Sequence, residues 1–200
     1  MNGSEDDPFA QARLDGAQRL AGGVAAWSVL GLILGGLGPG VSALFLGGGF
    51  AFFVIASEVV GVGGGVLMGV IDPPGRMVHE GLRGPELRAK LAAATVVSAC
   101  AGVLWAGSAG AVGAFCLFPL GDLLAGRTIT GDGIGLLCLL GAVMGALAGT
   151  PAVATFSLVR GIGVAYGRAW WHTIAGIGAA GVVTALLSLP VLFGVIAVID

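Results

Sequence analysis

Long apolar stretches alternate with short polar segments along the whole chain. A helix needs about 20 apolar residues to cross the roughly 30 Å hydrocarbon core of a bilayer, and five stretches meet this length. The pattern therefore predicts an all-α fold, a polytopic membrane helical bundle with about five transmembrane helices in a single domain over residues 21–200. We place the spans at residues 21–38, 44–71, 91–118, 133–158 and 170–199.

The segment before the first span, residues 1–20, is polar and weakly amphipathic. Asp7 followed by Pro8 predicts a helix start, because Asp caps free amide groups and Pro tolerates the first helical position. Residues 8–20 then either lie on the membrane surface or continue directly into the first span. The sequence leaves both arrangements open.

Turn and breaker residues set the predicted span boundaries. Residues 38–40 read Gly-Pro-Gly, which predicts a turn between the first two spans. Residues 72–75 read Asp-Pro-Pro-Gly and cannot continue the second helix, whereas Gly-Pro-Glu at 84–86 predicts a new helix start. We expect polar loops at residues 121–132 and again at residues 160–168.

Composition agrees with a membrane protein. Hydrophobic residues make up 56% of the chain, charged residues only 10%, and the mean hydropathy is +1.01. No basic patch of the kind that binds nucleic acid is present, so the predicted environment is a lipid bilayer. Cys100, Cys116 and Cys138 lie in apolar stretches without metal-site or disulfide spacing, and we interpret them as packing residues.

The distribution of basic residues predicts the orientation, because Lys and Arg in short loops stay in the cytoplasm. With five spans and a cytoplasmic N-terminus, eight of the nine basic residues lie inside and only Arg127 lies outside. Splitting residues 89–126 into two short spans gives the poorer partition of seven against two. We therefore predict a C-terminus outside, with Trp170 and Trp171 at the cytoplasmic boundary.

Glycine, at 39 of 200 residues, recurs at four-residue spacing within the spans. Such spacing advances about 400° around a helix and produces a smooth groove through which helices pack closely in lipid. The sequence predicts that the second, third and fourth spans pack tightly through such faces. The predicted helix-packing residues are Gly61, Gly65, Gly69, Gly141, Gly145 and Gly149, with a weaker set at Gly102, Ala106, Gly110 and Ala114.

Glu58 is the one acidic residue inside a predicted span. An intramembrane carboxylate needs a partner, a wet cavity or a raised pKa, which makes Glu58 a candidate proton or cation site. In the opposing interpretation the second helix ends or breaks after Ala56, so that Glu58 lies in an interfacial bend. Glycine triplets at residues 47–49 and 63–65 are the positions at which a transporter helix would be broken.

No pattern typical of catalysis or cofactor binding is present. His79 with Glu80, and His172 with Asp72 or Glu86, match no established metal-ligand spacing. The glycine pairs are not followed by the Lys-Ser/Thr of a phosphate loop, and no serine lies in a nucleophile elbow. We predict no enzymatic activity, no cofactor and no metal.

Three features together resemble a known family. A short acidic lead ends in Asp7-Pro8-Phe9, and two segments place a basic turn directly before an apolar helix: residues 81–101 (GLRGPELRAKLAAATVVSACA) and 161–192 (GIGVAYGRAWWHTIAGIGAAGVVTALLSLPVL). This arrangement resembles bacterial members of the Yip1 family. The resemblance implies five spans, a cytoplasmic N-terminus, a multi-pass protein of the bacterial plasma (inner) membrane, and a non-enzymatic role.

The chain departs from the family's Asp-Leu-x-Gly-Pro motif, because Gly84-Pro85 lacks the preceding Asp-Leu. No functional residue carries over. The leading hypothesis is a structural or interaction protein that associates with other membrane proteins, or with itself, through small-residue helix faces. The alternative is a small transporter, channel or pore subunit that uses Glu58 and glycine-broken helices.

Overall fold

The structure, a computed structural model, describes residues 8–46, 51–117 and 131–199. These residues form five long helices and one short one. The helices are α1 (Pro8–Leu46), α2 (Ala51–Ile71), α3 (Pro73–Met77), α4 (Gly84–Leu117), α5 (Gly131–Ala165) and α6 (Ala169–Ile199).

The five long helices confirm the predicted fold class. Each contains a segment long and apolar enough to cross a membrane. The helix starts predicted at Pro8 and Gly84 are those of α1 and α4, and the prolines after Asp72 end α2 at Ile71. Because α1 is continuous from Pro8, residues 8–20 extend directly into the first span.

Two predicted boundaries are wrong. The turn at residues 38–40 does not form, because α1 continues to Leu46, and the second helix begins at Ala51 instead of at residue 44. A Gly-Pro-Gly sequence can remain helical in a membrane, where no water competes for the backbone groups. The glycine triplet at 47–49 and the loop around Arg127 lie outside the described residues.

The polar loop predicted from Arg160 is also wrong at its first residues. Helix α5 continues through Arg160 to Ala165, and the turn occupies only residues 166–168. Arg160 is 8% exposed, so it belongs to the interior of the bundle. The charge of the side chain suggested a loop, but a paired charge is compatible with a buried helix position.

The long helices are arranged in a closed ring. Chain neighbours α1 and α2, α4 and α5, and α5 and α6 are in contact, α2 also contacts α4, and α6 returns to α1. Trp27 of α1 and Phe156 of α5 meet edge to face at the centre, with ring centroids 4.6 Å apart. The core around them includes Leu30, Met68, Trp105 and Val153.

The glycines of α2 pack against α1. A Cβ atom on Gly65 would lie 2.9 Å from the Cα atom of Ser28, and one on Gly69 would lie 2.8 Å from the backbone nitrogen of Val24. A Cβ atom on Gly61 would lie 3.3 Å from the Cα atom of Gly35. The predicted close packing occurs, but the partner of the second span is the first span.

The glycines of α5 pack against α4, as the spacing predicts. A Cβ atom on Gly145 would lie 3.0 Å from the Cα atom of Gly110, and one on Gly149 would lie against Ala106. Gly141 contacts Gly110 and Ala114 in the same way. Both helix pairs are therefore in backbone contact, where any side chain would force the helices apart.

The triplet at residues 63–65 does not break α2. Gly64 faces Trp105 of α4, whose indole Nε1 donates to the carbonyl oxygen of Val60 at 3.2 Å. Gly65 faces α1, while nothing lies within 4 Å of a Cβ atom on Gly63. The glycines allow α2 to fit between α1 and the Trp105 ring, so the hypothesis of a broken helix at this triplet is wrong.

The orientation prediction is tested by replacing single residues with cysteine and labelling them from either side of sealed vesicles. Arg83 and Arg168 are exposed and therefore suitable for labelling, whereas Arg160 is buried. We expect Arg83→Cys and Arg168→Cys to react from the cytoplasmic side and Arg127→Cys from the opposite side. Labelling of all three from one side would contradict the five-span topology.

Candidate functional site

Asp72 occupies the junction between α2 and α3. Its backbone has φ 32° and ψ 66°, the left-handed conformation that Asp tolerates better than most residues. Its N–H donates to the carbonyl oxygen of Met68 at 2.7 Å, and its own carbonyl oxygen accepts from the N–H of Arg76 at 3.0 Å. The chain thus turns sharply while the N–H and the carbonyl oxygen of Asp72 both keep backbone hydrogen bonds, and Pro73 starts the next helix.

The carboxylate of Asp72 forms a two-pronged ion pair with Arg160 of α5. Arg160 Nη2 lies 2.7 Å from Asp72 Oδ2, and Arg160 Nε lies 3.0 Å from Asp72 Oδ1. The side chains are only 9% and 11% exposed. This bidentate, charge-assisted geometry is a strong form of the carboxylate–guanidinium contact.

Two further helices contribute to the pair. The indole Nε1 of Trp27 on α1 donates to Asp72 Oδ1 at 2.9 Å, and Arg160 Nη1 donates to Thr173 Oγ1 on α6 at 3.0 Å. We call the four residues Trp27, Asp72, Arg160 and Thr173 the ion-pair cluster. It connects the end of α2 to α1, α5 and α6 at one level of the bundle.

Two glycines provide the space for the carboxylate. A Cβ atom on Gly23 would lie 3.1 Å from Asp72 Oδ2, and one on Gly75 would collide with the same oxygen. Removing two charges from water costs several kcal/mol per ion, so a buried pair persists only when its geometry and hydrogen bonds are favourable. The ion-pair cluster meets this condition.

A hydroxyl pair lies one turn from Arg160 along α5. Ser98 Oγ of α4 donates to Ser157 Oγ at 2.9 Å, and Ser157 Oγ is 3.4 Å from the carbonyl oxygen of Ala94. Both serines are fully buried. Because each hydroxyl is used in a bond between helices, the pair is arranged for packing and resembles no nucleophile with a general base.

The loop that follows α3 closes the same end of the bundle. Val78 is 1% exposed and packs with Leu91 and Ala165. The N–H of Gly81 donates to the carbonyl oxygen of Ala165 at 3.0 Å, which ties the loop to the end of α5. Glu80 lies beside Gly167, whose φ of 65° favours glycine.

Glu58 lies within α2, so the interpretation that this helix breaks after Ala56 is wrong. Its side chain is partly buried against α1, with Oε1 3.3 Å from the position of a Cβ atom on Gly36. Fourteen residues separate Glu58 from Asp72, or about 21 Å along the helix. None of the described residues forms an ion pair with Glu58.

The histidines lie near the ion-pair cluster but not in it. The carboxylate of Asp72 faces Arg160 and Trp27, while His172 Nδ1 lies 3.1 Å from the carbonyl oxygen of Arg168. Within residues 8–46, 51–117 and 131–199, no group of three or more His, Cys, Asp and Glu side chains is arranged to hold a metal ion.

Sequence reasoning missed the ion-pair cluster, although one signal for it was present. Arg160 is followed by the apolar residues 161–165, so its charge lies within an uninterrupted helical stretch and needs a partner. Asp72, directly after the apolar end of α2, is the matching acid. No family model matches the chain, and no curated protein and no solved structure matches it.

Proposed function

We propose that this integral membrane protein is non-enzymatic and acts as a structural or interaction component, through contacts with membrane partners. The observation that carries the proposal is that the buried ion pair and the buried serine pair are both used in bonds between helices. Asp72, Arg160, Ser98 and Ser157 are all used in this way. A similarity to the Yip1 family remains part of the proposal, as does a place in the bacterial plasma membrane.

The surfaces available to partners differ from those that the glycine spacing suggested. The faces of Gly61 and Gly145 are filled by α1 and α4 of the same chain. Large apolar side chains point outward instead, including Leu104 at 74% exposed and Val182 at 60%. Beside Val182 on α6, a Cβ atom on Gly178 would have nothing within 4 Å, so another helix could approach closely there.

Photocrosslinking tests this proposal. A photoreactive amino acid at Leu104 or Val182 is expected to give a discrete protein adduct in native membranes, whereas the same label at the fully buried Phe156 should give none. Formation of lipid adducts alone at every outward position on all long helices would contradict an interaction role.

The location of Glu58 supports a second candidate function, that of a small transporter or channel subunit. Its carboxylate lies within a continuous apolar helix and is partly buried, which is costly unless the group is used. The distinguishing result is a proton or cation flux through proteoliposomes that is lost in Glu58→Gln. Absence of flux together with crosslinks to a protein partner would favour the interaction role.

A further inference from the structure

The exposed basic side chains of the described residues all lie at the end of the bundle that holds the ion-pair cluster. Six such residues are exposed, and the seventh basic residue with a described side chain, Arg160, is buried in the cluster. We call the exposed set the basic girdle. It consists of Arg19, Arg76, Arg83, Arg88, Lys90 and Arg168.

Packing contacts fix the level of the residues on α1 and α4. Arg19 lies one turn before Gly23, which packs on Asp72. Leu91 packs against Gly161, the neighbour of Arg160, and Arg88 lies one turn farther out on the same helix. These arginines therefore project just beyond the ion-pair cluster.

The remaining members lie at the same level. The bond from Gly81 N–H to the Ala165 carbonyl oxygen brings the loop containing Arg83 beside the turn containing Arg168. Arg76 Nη2 donates to the carbonyl oxygen of Val70 at 2.6 Å, at the last turn of α2. Because the long helices form a closed ring, these positions are distributed around the circumference of the bundle.

Two further observations support a location of the girdle at the lipid headgroups. Trp170 and Trp171 are 72% and 71% exposed at this end, and indole rings concentrate at the membrane–water interface. Among the side chains that the structure describes at this end, the exposed acids are Asp15, Glu80 and Glu86, three against the six basic residues. The described side chains of this rim therefore carry a net positive charge.

We propose that the basic girdle binds anionic phospholipid headgroups in the leaflet that surrounds this end of the bundle. Guanidinium and ammonium groups donate hydrogen bonds to phosphate oxygens. Each basic residue near an anionic leaflet increases the affinity for that leaflet by about fivefold. This inference rests on the interaction role proposed above and names lipid as one partner class, while the protein crosslinks report independently on that role.

Tryptophan quenching by brominated lipids in vesicles tests the proposal with the full chain. Trp170 and Trp171 report on neighbouring lipid, and a Trp170→Phe/Trp171→Phe variant gives the background from the buried Trp27 and Trp105. At equal mole fraction, brominated phosphatidylglycerol is expected to quench more than brominated phosphatidylcholine. The excess should fall as salt is raised, because exposed charges are screened.

Variants show whether the charges cause this preference. Arg88→Gln and Arg168→Gln should each lower the preference by up to about fivefold. Glu86→Gln, in the same part of α4, is the matched control and should retain or increase it. Equal quenching by the two lipids would overturn the proposal, and so would an equal loss of the phosphatidylglycerol preference in Glu86→Gln and Arg88→Gln. Either result would leave protein crosslinks from Leu104 or Val182 unaffected.

Discussion

Replacing Arg160 with Met is expected to destabilise the folded bundle by about 3–5 kcal/mol, because the carboxylate of Asp72 then stays buried without its counter-charge. Thr173 also loses the hydrogen bond from Arg160. Met keeps an apolar stem of similar length, so lost packing contributes little. Reversible unfolding in mixed detergent micelles measures the change.

The matched control is Arg168→Met, which removes the same type of side chain from an exposed position. We expect it to change the free energy of unfolding by less than about 0.5 kcal/mol. Equal stability of the two variants would show that the buried ion pair does not support the fold.

Replacing Gly145 with Leu is expected to cost about 3 kcal/mol or more, because the new side chain would meet the backbone of α4. A Cβ atom alone would already lie 3.0 Å from the Cα atom of Gly110. The two helices would have to separate, losing contacts along the row that includes Gly141 and Gly149. Thermal melting in detergent measures the loss.

Gly135→Leu provides the control on the same helix. Gly135 is exposed, and a Cβ atom there would meet nothing within 4 Å. The melting temperature of Gly135→Leu should stay close to that of the unchanged protein. If Gly145→Leu melted at the same temperature as Gly135→Leu, close packing of α4 against α5 would be contradicted.

The number and type of helices followed from the sequence, because the length of an apolar stretch and its lack of charge are local properties. The helix boundaries were predicted less well where a residue that breaks helices or forms loops in water is accepted within a helix in the membrane. Gly-Pro-Gly at residues 38–40 breaks helices in water but is included in α1 here, and the charge of Arg160 suggested a loop within what is α5.

The ion-pair cluster could not be predicted in full because it depends on which helices are neighbours. Asp72 and Arg160 are 88 residues apart, and Trp27 is 45 residues from Asp72. Each buried charge by itself indicates that a residue of opposite charge must lie nearby. Which residue that is depends on how the helices are arranged in the ring. The pairing of α2 with α1 was missed for the same reason.

The glycine pattern, by contrast, was informative about the type of contact. Four-residue spacing marked Gly61, Gly65 and Gly69 as close-packing positions, and the structure places each of them against α1. The complementary face on α1 could not be predicted from the same spacing, because Trp27 interrupts the row formed by Gly23, Gly31 and Gly35.

A double-mutant cycle between Asp72 and Arg160 tests most directly whether a buried ion pair holds this end of the bundle together. Asp72→Asn suits the cycle because Asn tolerates the left-handed backbone and can still accept the hydrogen bond from Trp27. We predict a coupling energy of about 2 kcal/mol or more, with the double variant Asp72→Asn/Arg160→Met clearly more stable than the sum of the single losses implies. Strictly additive losses would contradict the pair.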